Sequence, residues 1–476
     1  MRKRLLFLCL LLCTPVFLTG STHQELEKGT VIPKVICKDN PEHSYALYLP
    51  SAYTPEKEWP ILYALDPGAR GHIPVELFLP AAEEYNYILA GSNNSRNGPW
   101  QQVIQALIIL WNDTREQFSI DKKRIYVTGF SGGSRGASIF SRVIMHPVAG
   151  IIGCGAGIAK SIIKPEQIKP AYYLGIVGIT DFNYREMAML KDQLEQQDVA
   201  HRLIIHKGGH DWPPAKTCLQ AIEWLEIIGM QKNIRPKDDE LVTKIYEKEL
   251  AEARSFELIG EFSRALSAYQ IMAPVFEEWV DTNELLVKIM SIQRNEEYKE
   301  ETREENRIQE QEMQHLRKFN QLFNQIDNNT PPLKNIERII SSMGLNALRV
   351  KADDKTEDKE YAMAIRLLWG LEIDAGSKGW DFFQKGELPK AIFFFEIAAQ
   401  GGSRDSQRKK NIYYFLASAY ARIPNKKKAL SCLRLAFENG FDNIQHLEQD
   451  EDFTLLKKTE EYGKILKTFK RKINSK

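Results

Sequence analysis

The stretch Gly129-Phe130-Ser131-Gly132-Gly133 decides the fold of the first half of this chain. A β-branched run at residues 124–128 precedes it, and a segment with helical apolar spacing follows from Ser134 onward. Two glycines flanking a serine permit a tight strand-to-helix turn, because neither has a Cβ atom to collide there. Such a turn holds the serine in a strained conformation with its hydroxyl exposed. We predict that Ser131 is a nucleophile, and an ordinary glycine-serine turn is the alternative.

The length and composition indicate a globular protein of more than one domain. The chain has 476 residues, of which 43% are hydrophobic and 27% are charged, which suits two or three folded domains. The formal net charge is only +1. This balance gives no reason to expect a nucleic acid as partner.

The N-terminal residues resemble a targeting segment. A basic start, Arg2-Lys3-Arg4, is followed by apolar residues 5–18 and by small residues at 19–21. The apolar stretch is short for a bilayer span and suits a cleaved secretory signal. We therefore predict a signal peptide at residues 1–21 and an exported protein, periplasmic or secreted, with an uncleaved membrane anchor as the alternative.

The cysteines suggest no metal site. Cysteines beyond the predicted signal are widely scattered, without a C-x-x-C pair or a spacing typical of metal ligands; they are Cys37, Cys154, Cys218 and Cys432. We predict no metal and no cofactor. Export would permit disulfides, and free buried thiols are equally compatible with the sequence.

Strand-like and helix-like patterns alternate through the first half. Apolar or alternating runs predict strands, and helical patterns lie between most of them; the runs cover residues 44–50, 60–65, 87–91, 124–128, 150–153, 172–177 and 202–206. Continuous apolar runs are typical of strands buried on both faces. The sequence therefore predicts an α/β domain at residues 30–232 with a doubly wound, mostly parallel sheet.

Two further reactive residues follow predicted strands. Asp181 comes after the run ending at residue 177, and His210 follows Gly208-Gly209 after the run ending at residue 206. Ligands bind at the carboxyl ends of such strands. A serine hydroxyl needs a base and the base needs an orienting acid, so Ser131, His210 and Asp181 form a candidate triad. Asp66 and Asp211 lie near the same edge, but Asp211 adjoins the base and should point elsewhere.

The same loops supply candidate oxyanion and substrate contacts. The Gly132 amide follows the nucleophile, and Gly68 or Ala69 in the loop at residues 66–71 is predicted to supply a second N–H. Predicted substrate-binding side chains are those of Trp100, Trp212 and Arg70, although Arg70 also suits a solvated loop charge.

The motifs around Ser131 and at Gly208-Gly209-His210-Asp211-Trp212-Pro213 resemble the secreted polyhydroxybutyrate-depolymerase and feruloyl-esterase group of α/β hydrolases. The resemblance covers roughly residues 40–230 and implies an α/β-hydrolase fold, with Ser131 and His210 as nucleophile and base and Asp181 as the acid. The chain departs from the group at Leu65-Asp66-Pro67-Gly68, where many members have a His-Gly pair before the oxyanion loop.

The spacing between Ser131 and Asp181 leaves no room for a large inserted cap. An open site follows, suited to esters on bulky or polymeric substrates, unless another part of the chain covers it.

Beyond residue 234, strand signals nearly vanish. We predict a helical region at residues 240–330, including a long charged helix at 295–325, and a helical domain at residues 360–476. Three segments, near residues 260–269, 386–395 and 424–436, resemble tetratricopeptide repeats, which implies an all-α repeat domain and a protein partner.

These observations predict an exported serine esterase with a C-terminal helical repeat domain. Two other hypotheses stay open. In one, the repeats bind protein and the hydrolase domain is a degenerate scaffold; in the other, the triad serves a peptidase.

Overall fold

An eight-stranded sheet organises the first half of the chain in the computed structural model, which describes residues 26–169, 171–329, 332–354, 358–402 and 407–474. The strands are β1 (Val31–Ile36), β2 (Ser44–Tyr48), β3 (Trp59–Leu65), β4 (Ile88–Ser92), β5 (Ile120–Phe130), β6 (Gly150–Cys154), β7 (Tyr172–Gly178) and β8 (His201–His206). Their spatial order is β1-β2-β4-β3-β5-β6-β7-β8, and only the pairings of β2 are antiparallel. The predicted α/β fold class is confirmed, with β1 as an additional edge strand.

Helices cover both faces of this sheet. They are α1 (His72–Tyr85), α2 (Trp100–Gln117), α3 (Gly132–Ile144), α4 (Tyr184–Gln196) and α5 (Ala215–Gln231). Consecutive residues of β3 alternate between two apolar cores, since Leu62 packs with α1 and α5 whereas Ile61 and Tyr63 pack with α2 and α3. This alternation explains why the strand is apolar at every position.

The second half is helical, as predicted. Its helices are α6 (Asp239–Leu258), α7 (Phe262–Phe276), α8 (Asn283–Arg294), α9 (Glu296–Asn328), α10 (Ile336–Ser342), α11 (Leu345–Asp353), α12 (Lys359–Gln384), α13 (Leu388–Gln400), α14 (Lys409–Arg422), α15 (Lys426–Glu438), α16 (Ile444–Gln449) and α17 (Glu460–Asn474). The predicted long charged helix is α9. Its N-cap is Asn295, whose side chain accepts hydrogen bonds from the amides of Glu297 and Tyr298.

The three repeat-like segments all fall at junctions between successive helices. Gly260 separates α6 from α7 and Gly386 separates α12 from α13, with φ of 77° and 75° respectively. Pro424 lies between α14 and α15. The positive φ at both glycines reverses the chain with little strain, because glycine has no Cβ atom. Membership in the tetratricopeptide class stays a prediction.

The apolar cores connect the two halves at α6–α8. Phe276 of α7 is fully buried and contacts Trp224 of α5 and Tyr246 of α6, with ring centroids 6.1 and 5.3 Å apart. These helices share a core with α1, α5 and the sheet, whereas α9–α17 surround a separate core. The first three helices of the second half are therefore part of the folding unit of the sheet.

The cysteines that the structure describes are buried free thiols. Burial raises the pKa of the Cys37, Cys154 and Cys432 thiols to about 12, so they are inert as nucleophiles at neutral pH. The predicted signal at residues 1–21 lies outside the described residues. Within the described ranges, no helix combines the length and apolar character needed to cross a bilayer.

Phe276→Ala tests the shared core. We expect a loss of about 3–5 kcal/mol in the free energy of unfolding, because a buried phenyl ring leaves a cavity. Hydrogen exchange should accelerate in α5 and the sheet as well as in α7. Phe453→Ala, which removes a buried ring from the other core, is the matched control and should leave exchange in the sheet unchanged. Acceleration confined to α6–α8 would contradict a shared folding unit.

Candidate active site

The turn between β5 and α3 places Ser131 in a strained backbone conformation. Its φ is 54° and its ψ is −118°. A Cβ atom on Gly129 would lie 2.2 Å from the carbonyl oxygen of Gly133, and one on Gly133 would lie 2.0 Å from the carbonyl oxygen of Leu65. Both glycines are therefore required sterically, as the sequence predicted. This arrangement directs the Ser131 side chain away from the sheet edge, where it lines a cavity.

Three side chains predicted to act together lie within hydrogen-bonding distance. The Nε2 atom of His210 is 3.0 Å from Ser131 Oγ, and its Nδ1 atom is 2.9 and 3.0 Å from the two carboxylate oxygens of Asp181. A carboxylate at Nδ1 favours the tautomer that carries its hydrogen there, which leaves Nε2 free to accept from the serine hydroxyl. Asp181 is fully buried.

Neighbouring groups fix the orientation of His210. Its ring lies between Phe130 and Phe182, with centroids 4.7 and 4.2 Å away. The loop before it is tied to the loop of Asp181, because both the amide and the hydroxyl of Thr180 donate to the carbonyl oxygen of Gly208, at 2.9 and 2.7 Å. The acid and the base therefore belong to one hydrogen-bonded pair of loops.

The predicted oxyanion donors differ in whether their N–H groups are already hydrogen-bonded. Gly132 is the first residue of α3, so its N–H has no partner within the helix and is adjacent to Ser131. The amides of Gly68 and Ala69 donate to Asp66, at Oδ1 (2.8 Å) and at the carbonyl oxygen (3.0 Å). Because both hydrogens are already used, the prediction that Gly68 or Ala69 is an oxyanion donor does not agree with this geometry.

Asp66 organises the loop that follows β3. Its buried carboxylate accepts hydrogen bonds from Gly68, from Arg70 and, at 2.9 Å, from Trp212 Nε1. Burial raises the pKa of Asp66, but hydrogen bonds from Arg70, Trp212 and Gly68 outweigh it and hold the pKa below its usual value. Trp212 is itself buried and Arg70 is committed to Asp66. Burial makes Trp212 unavailable to a substrate, so its predicted role in substrate binding does not agree with the structure. Arg70 keeps 55% of its side chain exposed, and its role in substrate binding stays a prediction.

A residue that sequence reasoning missed lies directly beside Gly132. A Cβ atom on Gly132 would lie 1.7 Å from Oδ1 and 3.2 Å from Nδ2 of Asn97. The backbone N–H of Asn97 donates to the carbonyl oxygen of Pro67 at 2.8 Å, and Gly68 pairs with Arg96 in a β-bridge. The loop of Asp66 thus anchors the backbone at Asn97, whose side-chain amide can present an N–H beside that of Gly132.

Ser131 opens into a cavity of about 420 Å³. Its apolar lining includes Trp100, the predicted substrate contact that the structure does place at the site, together with Phe182. Ile373 and Asp374, both from α12, also line it. No large cap is inserted between Ser131 and Asp181, but the helical region forms one wall, which is the exception that the sequence left open.

The other candidate groups serve local structure. Asp211, an alternative acid, accepts a hydrogen bond from the amide of Trp212 at 2.8 Å, and His210 pairs with Asp181 instead. Among the residues that the structure describes, no cluster of three His, Cys, Asp or Glu side chains could hold a metal ion.

Comparisons with known proteins give partial similarities to solved structures. No protein-family model matches the sequence, and no curated protein matches it. Solved structures that it resembles include S-formylglutathione hydrolase from Staphylococcus aureus (14% identity, 42% of this chain and 98% of that chain, TM-score 0.34). Others are a ferulic acid esterase (15%, 41% and 97%, TM-score 0.34) and an esterase from Pyrobaculum calidifontis (11%, 43% and 87%, TM-score 0.34). At such values, the geometry of the site has to carry any assignment of activity.

Asp66→Asn tests whether the ionised carboxylate of Asp66 stabilises the fold, because that contribution depends on pH. The folded pKa of Asp66 is below the unfolded value of about 3.9, so ionisation stabilises the fold above about pH 4 and that contribution is lost as the pH falls through the folded pKa. Because Arg70 is 55% exposed, we expect a modest loss of about 2 kcal/mol at pH 7. Urea unfolding at several pH values measures it.

The difference between wild type and Asp66→Asn should shrink below about pH 4. Asp192→Asn, at an exposed carboxylate on α4, is the matched control and should have little effect. A difference between wild type and Asp66→Asn that is equal at pH 7 and pH 3 would contradict the assignment.

Proposed function

We propose that this chain is a serine hydrolase of carboxylic esters, with Ser131 as nucleophile, His210 as base and Asp181 as orienting acid. One observation carries the proposal: a continuous hydrogen-bond chain from Ser131 Oγ through His210 to the buried carboxylate of Asp181 begins at a strained strand-to-helix turn. A structural serine needs neither the strain nor a buried acid behind its histidine.

The proposed reaction has two steps. Ser131 Oγ attacks the ester carbonyl carbon while its proton passes to His210 Nε2, and the imidazolium is stabilised by Asp181. The C–O bond to the alcohol then breaks, and the alcohol leaves with the proton from His210. Water, deprotonated by His210, attacks the carbonyl carbon of the acyl-enzyme. The C–O bond to Ser131 then breaks, His210 returns the proton to Ser131 Oγ, and the carboxylic acid leaves.

The negative charge on the carbonyl oxygen needs donors that are already in place. We assign the first to the Gly132 N–H and the second to the side-chain amide of Asn97, which lies beside Gly132 and whose backbone N–H is anchored on the carbonyl oxygen of Pro67. Preorganised donors of this kind stabilise the transition state more than the bound ester.

Ser131→Ala tests the nucleophile. We expect its rate of p-nitrophenyl butyrate hydrolysis to fall by at least about 10³-fold, and that of Asp181→Asn by about 10⁴-fold, because the histidine loses its tautomer. Ser141→Ala, near the other end of α3, is the matched control and should hydrolyse the ester normally. Equal rates for Ser131→Ala and Ser141→Ala would overturn the assignment, and equal turnover of the matching p-nitroanilide would favour a peptidase.

Asn97→Ala tests the second oxyanion donor. We expect kcat to fall about 10²-fold with little change in KM, because the lost hydrogen bond forms mainly in the transition state. Asn94→Ala, in the same loop but bonded to the amide of Ser44, is the control. A similar fall in kcat for both variants would show that the loop, and not the Asn97 amide, matters.

Export and a protein partner for the helical repeats remain proposals. Export is supported by the basic and apolar pattern of residues 1–21, and the partner by the repeat-like helix junctions. Bulky or polymeric esters are less compatible with the cavity, because α12 borders it.

A further inference from the structure

One face of α12 lies along the candidate active site. Arg366, Gly370, Ile373 and Asp374 are spaced by four, three and one residues, so they share a side of the helix. Arg366 Nη1 donates to the carbonyl oxygen of Ile179 at 2.7 Å, in the loop that carries Asp181. Ile373 and Asp374 then reach the cavity that Ser131 lines. This face of α12 therefore extends from the loop of the acid to the cavity of the nucleophile.

Buried ion pairs fix α12 in this position. Arg366 Nε and Nη2 each lie 2.7 Å from a carboxylate oxygen of Glu312 in α9, and Arg185 Nε lies 2.7 Å from the same carboxylate. Arg366 and Glu312 are only 6% and 2% exposed. Charges so deeply buried are costly unless every partner is aligned. The contact therefore sets the register of α12 on the loop that carries Asp181.

The helix backbone at Gly370 lies close to Phe182, the neighbour of the histidine. The nearest atom to a Cβ built on Gly370 is the Cβ of Phe182, at 3.8 Å, and the Phe182 ring lies 4.2 Å from that of His210. The cavity wall formed by α12 therefore contacts Phe182, one of the side chains that orient His210.

Asp374 brings an unpaired carboxylate to this wall. Within the described residues, its side chain makes no hydrogen bond or ion pair, and the Lys378 ammonium one turn away pairs with Asp327 at 2.6 Å. Asp374 is exposed to the cavity, but nearby protein makes its ionisation costly and raises its pKa, although the charge of Lys378 opposes this rise. A cation bound in the cavity would relieve that cost.

Two cationic side chains, Arg96 and Arg135, line the same cavity. Arg135 is neutralised by Glu186, whose carboxylate oxygens accept hydrogen bonds from its Nη1 and Nη2 at 2.6 and 2.9 Å. Arg96 lies in an exposed loop, and its long side chain can keep its guanidinium in water. Asp374 has a short side chain on a helix whose position is fixed by Arg366 and Glu312. The charge that has a set position relative to Ser131 and no neutralising ion pair is therefore negative.

We propose that Asp374 is a specificity-determining residue of this site and that the preferred substrates are esters carrying a cationic group, such as a quaternary ammonium. The inference rests on the proposed esterase function for its kinetic part. The cation would occupy the side of the cavity formed by α12, while the ester carbonyl lies at Ser131.

Two isosteric substrate pairs test the inference. One pair places the charge in the acyl group: the p-nitrophenyl esters of 4-(trimethylammonio)butyrate and of 5,5-dimethylhexanoate. The other places it in the alcohol: butyrylcholine and 3,3-dimethylbutyl butyrate. The quantity measured is the ratio of kcat/KM for the cationic ester over its neutral isostere, at pH 8.

We expect at least one pair to show a ratio of about tenfold or more in the wild type, falling close to one in Asp374→Asn, as suits one partly screened charge contact. Asp381→Asn, at an exposed carboxylate on the same helix, should keep the wild-type ratio. A ratio near one in the wild type, or an equal ratio in Asp374→Asn, would overturn the inference.

A binding experiment separates this inference from the proposed function. Calorimetry on Ser131→Ala, which needs no turnover, should show tighter binding of the preferred cationic ester than of its isostere, by about tenfold. Adding Asp374→Asn should remove the difference. If the wild type hydrolyses no ester but this difference is present, the esterase proposal fails and the cation site stands. If Ser131-dependent hydrolysis occurs and the difference is absent, only the cation site fails.

Discussion

The close contact between β5, β3 and α3 at Ser131 is the constraint on which the site depends. The carbonyl oxygens of Leu65 and Gly133 come so near Gly133 and Gly129 that no side chain fits at either glycine. This contact forces the positive φ at Ser131 and directs its hydroxyl beyond the sheet edge. The strain is sustained by a central strand that is paired on both sides and buried.

Around that turn, each reactive group is held by a separate structural device. The acid and base loops are joined through Thr180, and Phe130 and Phe182 limit the movement of the histidine ring. Asp66 directs the amides of its own loop inward, and that loop in turn positions Asn97. The helical region contributes a third device, because Arg366 contacts the loop that carries Asp181. The proposed enzyme is therefore a composite of both halves of the chain.

The sequence predicts the sheet and the meeting of Ser131, Asp181 and His210, because strand periodicity is local and strand ends converge at one edge. It fails where burial or distant contacts decide. The sequence does not predict β1, because Pro33 within it is unfavourable for a strand. The strand tolerates this proline because it lies at the edge of the sheet. The motif Asp66-Pro67-Gly68 does not reveal that the carboxylate of Asp66 is buried. Asp66 therefore accepts hydrogen bonds from the backbone amides that were expected to face an oxyanion.

Contacts between segments that are distant in the sequence could not be predicted either. Asp374 is more than two hundred residues from Ser131 along the chain, and the contacts of Arg366 with Glu312 and Ile179 help bring α12 to the cavity. A helical pattern gives the spacing of residues 366, 370, 373 and 374 but not the surface that this face meets. For the same reason, Asn97 could be identified only once its neighbour Gly132 was located.

Covalent labelling with a fluorophosphonate shows whether Ser131 is an activated nucleophile. Peptide mass spectrometry locates the adduct after a stoichiometric reaction of the folded protein. We expect one adduct per chain, on Ser131, that does not form when His210 is replaced by alanine. A folded wild-type protein that acquires no adduct, or acquires it on another residue, would rule out Ser131 as the nucleophile.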